Sequence, residues 1–258
     1  MIEKILEKFK NDERVEAIAL GGSRAGENFD EKSDYDIYVY YNEMIPEKER
    51  KEIYLEICSK IEIGNHYWEY EDNGVLNDGV EFDVVYRKLD DFINGISYVV
   101  DKCNSHNGYT TCMWHNLINC KILFDKNKKL EKYQKQYSID YPKKLKENII
   151  LRNMNLLSDA LLAYKGQIKK ATGRADVVSI NHRITEFLAS YFDIIFALNE
   201  LTHPGEKRLV EISLKKCKKL PKNFSQNIEN LLKNIAVNNE NVNLYIQEIV
   251  RELKEILK

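Results

Sequence analysis

The chain has 258 residues, 43% hydrophobic and 31% charged, enough for one large or two ordinary domains with a real core and no need of disulfide staples. Eleven Gly and four Pro leave little room for disorder or for a turn-rich sandwich of many strands, so helix should dominate. Thirty-nine basic residues against 41 acidic ones give a net charge of −2, which excludes wholesale polyanion binding and makes nucleic acid an unexpected partner.

The opening MIEKILEKFKNDER sets Ile2, Ile5, Leu6 and Phe9 at helical spacing among charges, which predicts a surface helix and not a signal peptide. Val15 to Leu20 reads as a buried strand running into the glycine-bearing turn GGSRAGENFDEKSD. Asp34 to Tyr41 alternates, with Tyr35, Ile37, Val39 and Tyr41 on one face and Asp34, Asp36, Tyr38 and Tyr40 on the other. Pro46 opens a predicted helix through about Ile63, followed by a strand around Tyr67 to Tyr70 and a turn containing Asn73-Gly74 and Asn77-Asp78-Gly79. In the next strand, Val80 to Arg87, the residues Val80, Phe82, Val84 and Tyr86 share a face and leave Glu81 and Asp83 on the other. A helix over Leu89 to Val100 and a short strand over Cys120 to Phe124 complete this half.

From about Ser138 strands give way to amphipathic runs, so the expected domains are 1–137, with a small mixed sheet, and 138–258, an all-helical bundle; the fold class is α+β. Val177, Ile180, Ile184, Phe187, Tyr191, Ile194 and Leu198 mark one long helix, and two more are expected around Phe224 to Ile235 and Val242 to Leu257. The most apolar stretch, Tyr191 to Leu198, contains Asp193 and falls far short of the roughly 20 residues of a membrane span, so no membrane partner is expected.

Five cysteines, odd in number and without a CxxC pair, point to reduced thiols in a cytoplasm and to no disulfide. Cys103, His106, Cys112 and His115 read C-x2-H-x5-C-x2-H, a set that zinc accepts in tetrahedral geometry. The central loop is short for a zinc knuckle, and Met113-Trp114 suggests a packed helix, so coincidence is the preferred account.

The chemistry concentrates in three places: the Gly22-Ser23 turn after a strand, Asp34 and Asp36 two residues apart, and Asp83 on a later strand. Carboxylates at i and i+2 of a strand project from one face and suit divalent ions with hard oxygen ligands. A third carboxylate from a neighbouring strand makes a like-charged cluster that is costly without a cation. Gly22 lets the backbone approach a phosphate, and the N–H groups of Ser23 and its successors offer an anion site.

GGSRAG followed by SDYDIYVYY resembles the GS motif and paired aspartates of the DNA polymerase β-like nucleotidyltransferase superfamily, and EFDVVY resembles its third acidic strand. The two-domain layout is similar to bacterial antibiotic nucleotidyltransferases, while Arg24-Ala25 directly after Ser23 is close to the form of minimal nucleotidyltransferases. The resemblance implies that Asp34, Asp36 and Asp83 are catalytic and hold two Mg2+ ions, with Asp83 near the attacking hydroxyl and Gly22 and Ser23 on the triphosphate. It also implies transfer of a nucleoside monophosphate, with ATP the expected donor, to a hydroxyl of a small-molecule acceptor such as an aminoglycoside or lincosamide. RNA 3′ ends and protein hydroxyls (AMPylation) are alternative acceptors, and a nucleotide-binding regulatory or antitoxin-like module is the rival of another class. The complete acidic triad speaks against that rival, because a pure scaffold has no stability reason to keep it.

Other polar residues carry blander expectations. Glu81 reads as a surface strand residue and Gly21 as geometry. Arg183, Glu186 and Asp193 read as helix ion pairs, although family analogy makes a second-domain carboxylate such as Glu186 a candidate base. Lys207 and Arg208 read as a solvated helix start, and His182 as a packed or surface histidine. Tyr38 and Tyr40, on the carboxylate face, are candidates to stack on a base.

Overall fold

The computed structural model describes residues 1–26 and 33–258; residues 27–32, within the predicted glycine-bearing turn, lie outside the described residues. Two compact units emerge, one formed by Met1–Ser97 with Asn116–Ile139, the other by Tyr98–His115 with Asp140–Lys258. Together they make an α+β chain, a mixed sheet with helices followed by helical structure.

The first unit begins with α1 (Ile2–Lys10), whose buried Ile2, Ile5 and Phe9 form the predicted apolar face. Its sheet consists of β1 (Val15–Leu20), β2 (Tyr35–Tyr41), β3 (Cys58–Asn65), β4 (Glu71–Leu76), β5 (Glu81–Lys88) and β6 (Lys121–Asp125), in the order β3-β4-β5-β2-β1-β6. Only β2 and β5 run parallel; the other neighbours are antiparallel. Alternation gives this sheet two chemically distinct faces. On one, Ile18, Ile37, Val39, Phe82, Val84 and Tyr86 pack with α1 and with Tyr54 of α2 (Glu47–Tyr54) to form the core. On the other, Tyr40 is fully buried with its ring 5.6 Å from Phe92 of α3 (Leu89–Val100).

The predicted helix from Pro46 to Ile63 stops at Tyr54, and Cys58–Asn65 is an edge strand. Its alternation, with Ile61 and Ile63 packed on the core and Lys60 and Glu62 turned to one side, is short enough to be mistaken for helical periodicity. The predicted strand at Tyr67 to Tyr70 is the connection between β3 and β4, and it carries Tyr67 and Trp68, each 84% exposed. Asn73-Gly74 lies inside β4 and not in a turn: a Cβ on Gly74 would stand 2.5 Å from Cζ of Phe82, so the glycine makes room for a ring.

A buried polar cluster ties α2 to β4. Arg50 and Asp72 are both fully buried, with Arg50 Nε 3.0 Å from Asp72 Oδ2. The hydroxyl of Tyr86 donates to the same carboxylate at 2.8 Å and the Gly64 N–H donates at 2.9 Å.

The second unit is helical, with α4 (Cys112–Asn119) and α5 (Lys129–Tyr137) preceding most of it in the chain. It contains α6 (Lys143–Met154), α7 (Tyr164–Thr172), α8 (Val177–Leu198), α9 (Leu209–Lys216), α10 (Phe224–Asn234) and α11 (Asn239–Ile256). Asp176 caps α8 by accepting from the Ser179 N–H, and the predicted apolar face of that helix is buried from Ile180 to Ile194 in a cluster with Phe224, Ile228, Ile246 and Ile249, while Val177 at its start is exposed. No described helix is long and apolar enough to cross a membrane.

Candidate active site

The parallel register of β2 and β5 sets Asp36 directly beside Asp83, and the antiparallel register of β5 and β4 sets Asp83 beside Asn73. Gly21 closes the row on the far side, donating its N–H to the Asp36 carbonyl at 2.8 Å. One line therefore runs across three strands, β4, β5 and β2, to the turn after β1 on the face opposite the core, and both carboxylates are only half-buried. Period-two geometry makes this unavoidable once Ile37, Val39, Phe82 and Val84 go inward.

The turn after β1 is shaped around Asp36. Gly22 has φ 58° and ψ −152°, a conformation that glycine alone adopts readily, and a Cβ there would stand 1.6 Å from Asp36 Oδ2. The carboxylate thus lies against the Gly22 backbone. Ser23, at the start of a single 3-10 turn over Ser23–Ala25, is exposed. Gly21 is a matter of geometry, since its Cβ would meet Cε2 of Tyr38 at 2.3 Å.

Arg24 anchors the other end of this segment. Its Nε donates to the carbonyls of Ser33 at 2.7 Å and Asp34 at 3.2 Å, while the guanidinium lies 3.9 Å from the Tyr35 ring centroid. Asp34, the residue before β2, is half-buried and is held through its backbone by this arginine.

Asn73, Glu71 and Arg87 belong to the same face and were not singled out by the sequence. Asn73 Nδ2 donates to Asp83 Oδ1 at 2.6 Å. Burial pushes the Glu71 carboxyl upward, the Asn73 hydrogen bond opposes that shift, and the charges of Asp83 and Glu69 add to it. Arg87 binds Glu69 through Nε at 2.8 Å and Nη2 at 2.6 Å and lies 4.3 Å from the Tyr38 ring centroid. The signal was present in the parity of β4, where Glu71 and Asn73 must share the face of Asp83, but it required β4 to be recognised as a strand.

Asp36 and Asp83 are thus brought together with Gly22, whereas no group of three or more His, Cys, Asp or Glu among the described residues lies close enough to hold a metal ion. The pair still fits a hard divalent cation, because magnesium takes one or two carboxylates and completes its octahedron with water and substrate phosphate. The zinc-like set is not assembled: His115 Nδ1 lies 2.7 Å from Thr202 Oγ1, the Cys103 thiol donates to the Val100 carbonyl, and the His106 ring stacks on Tyr98.

Tyr40 is fully buried and offers no face to a base; the Tyr38 hydroxyl accepts from Asn116 Nδ2 at 2.8 Å. Glu81, His182, Arg183, Glu186, Lys207 and Arg208 are exposed. Asp193 differs from its expected role as an ion pair: it is 1% exposed and accepts from the Thr110 N–H, the Thr110 hydroxyl and Asn153 Nδ2.

Residues 3–71 match the family model described as Polymerase beta, Nucleotidyltransferase. That span contains Gly22, Ser23, Asp34 and Asp36, and Asp83 follows it. Among solved structures, the chain is similar to a nucleotidyltransferase-like protein from Exiguobacterium sibiricum, with 11% identity, a TM-score of 0.43 and coverage of 99% of this chain and 72% of that one. It is also similar to an aminoglycoside 6-adenyltransferase from Bacillus subtilis, with 13% identity, a TM-score of 0.31 and coverage of 100% and 90%. A CCA-adding enzyme from Thermotoga maritima in complex with tRNA gives 12% identity, a TM-score of 0.27 and coverage of 99% and 81%. No curated protein matches the chain. Residues 3–71 are thus similar to the nucleotidyltransferase domain that this family model describes.

Proposed function

We propose that the chain transfers a nucleoside monophosphate, AMP from ATP, to a hydroxyl of a small-molecule acceptor and releases pyrophosphate, with residues 1–137 as the transferase domain and 138–258 as a helical domain that serves acceptor recognition. The observation that carries this reading is the register of β2 and β5, which sets Asp36 and Asp83 side by side with Asp36 against the Gly22 backbone.

In this reading the backbone at Gly22 and Ser23 receives the triphosphate, because both residues are exposed and Gly22 carries no side chain of its own. Asp34, Asp36 and Asp83 would hold two Mg2+ ions, which would supply positive charge to offset the negative charge of the triphosphate. Asp83 accepts the proton of the acceptor hydroxyl at Oδ2, since Oδ1 already receives Asn73. A bond forms between the acceptor oxygen and the α-phosphorus as the bond to the α,β-bridging oxygen breaks in line. Free thiols and the use of intracellular ATP make the cytoplasm the proposed location.

The test is pyrophosphate release from each of the four NTPs with Mg2+, against a panel of aminoglycosides, lincosamides and short RNAs. Acceptor-dependent release that disappears in Asp36→Asn is the expected result. Release that persists in Asp36→Asn at an unchanged rate would overturn the assignment.

A further inference from the structure

Asn73 is the centre of a hydrogen-bonded chain that starts outside the carboxylate row. The Tyr67 backbone N–H donates to Asn65 Oδ1 at 2.9 Å, Asn65 Nδ2 donates to Asn73 Oδ1 at 2.9 Å, and Asn73 Nδ2 donates to Asp83 Oδ1 at 2.6 Å. An amide can normally be turned end for end, but this chain has fixed ends. A backbone N–H only donates, and an ionised carboxylate only accepts, so each amide in between has one orientation. The direction of the whole chain follows from its termini.

We infer that Asn73 is a positioning residue for Asp83, and that Asn65, the last residue of β3, sets its orientation. This rests on the proposed role of Asp83. Its physical content is that the Asn73 amide takes up Oδ1 of Asp83 with a charge-assisted bond and leaves Oδ2 for the acceptor hydroxyl. A reversed amide would place its carbonyl oxygen against the carboxylate. Asn73 also lowers the burden of Glu71, the other carboxylate on this face, by hydrogen bonding to it.

The informative variant is Asn65→Asp, which lies outside the carboxylate row and is isosteric. The new carboxylate still accepts the Tyr67 N–H but faces the Asn73 carbonyl oxygen with an acceptor, so the Asn73 amide turns and the chain reverses. Hydrogen bonds to a charged group of this kind correspond to about a 10- to 100-fold effect on rate. The expected result is a loss of that size in kcat for pyrophosphate release, KM for ATP within about twofold of the parent, and an unchanged melting temperature. Asn73→Ala should reproduce the kcat loss, and Asn65→Ser, which keeps a donor and an acceptor, should restore most of it.

A second readout needs no turnover. In a 15N-labelled sample the Asn73 side-chain amide protons should be shifted and slow to exchange in the parent, and should move to ordinary positions in Asn65→Asp. An unmoved Asn73 amide, or a moved amide with parental kcat, would overturn the inference. Failure of the underlying reading looks different: Asp83→Asn would then retain activity, whatever the amide signals do.

Discussion

A methyl group at position 22 has nowhere to go. It would fall 1.6 Å from an oxygen of Asp36, at a backbone φ of 58° that side chains disfavour, so Gly22→Ala must displace the carboxylate, the turn, or both. The expected outcome is a loss of at least about 100-fold in kcat with a stability loss of about 1 to 3 kcal/mol. Pyrophosphate release and urea unfolding measure the two effects separately, and parental activity would place Gly22 outside the working site. At this scale the sequence was informative about identity and silent about contact. The GGS turn and the alternation of Asp34 to Tyr41 were both legible, because a strand's period depends only on the chain itself. That Asp36 lies on Gly22, and that Arg24 reaches back to Ser33 and Asp34, depends on how the chain returns across the sheet.

At the scale of elements, α2 and β4 are joined by a charged pair that no local pattern announces. Arg50 and Asp72 are fully buried, and removing one partner leaves the other a buried charge without its counter-charge. Arg50→Met should therefore cost about 3 to 5 kcal/mol, while the double variant Arg50→Met with Asp72→Leu should recover a large part of it. Denaturant unfolding of the four proteins checks this, and additive losses would deny the coupling. The same region is where strand assignment failed. Arg50 sits in a helix that was expected to run from Pro46 to about Ile63, and the strand after it, Cys58–Asn65, was too short in its alternation to separate from that helix. Gly74 misled for a different reason, since its space is filled by Phe82 from the neighbouring strand. Long elements fared better: Leu89–Val100 and Val177–Leu198 match their predicted ranges because a dozen residues or more of one period leave little ambiguity.

For the molecule as a whole, three titratable groups of the second unit, the half-buried His115 and the buried His203 and Asp193, contribute to its response to acid. Burial draws the imidazole of His115 down to about 4, with the Lys216 charge adding to the effect, and draws that of His203 down to about 4, with His115 adding. Burial pushes the Asp193 carboxyl up to about 6, against the hydrogen bonds from Thr110 and Asn153. For the histidines the folded pKa is depressed, so their contribution is present above the unfolded value of about 6.5 and is lost as pH falls toward 4. For Asp193 the folded pKa is raised, so its contribution is present below the unfolded value of about 4 and is lost as pH rises through 6. Near pH 5, unfolding therefore takes up about two protons on imidazole and releases about one from the carboxyl. Stability should fall by roughly 1.4 kcal/mol per unit of acidification there, and Asp193→Asn, which removes the opposing group, should bring the slope to roughly twice that. Urea titrations between pH 4.5 and 7 read both slopes, and equal slopes would mean that Asp193 is already ionised in the folded protein.

The two tryptophans fall in different compact units and in opposite surroundings. Trp68, in the connection between β3 and β4, is 84% exposed, whereas Trp114 is 2% exposed with its ring 5.4 Å from Tyr141. An indole in water emits to the red of one in a dry, packed site and yields to an aqueous quencher that the buried ring escapes. The unmodified chain is therefore already labelled with two optically separable probes, one in each unit. The red probe stands one residue from the N–H that begins the amide chain to Asp83, so the colour of its light follows the ordering of that connection without any added dye.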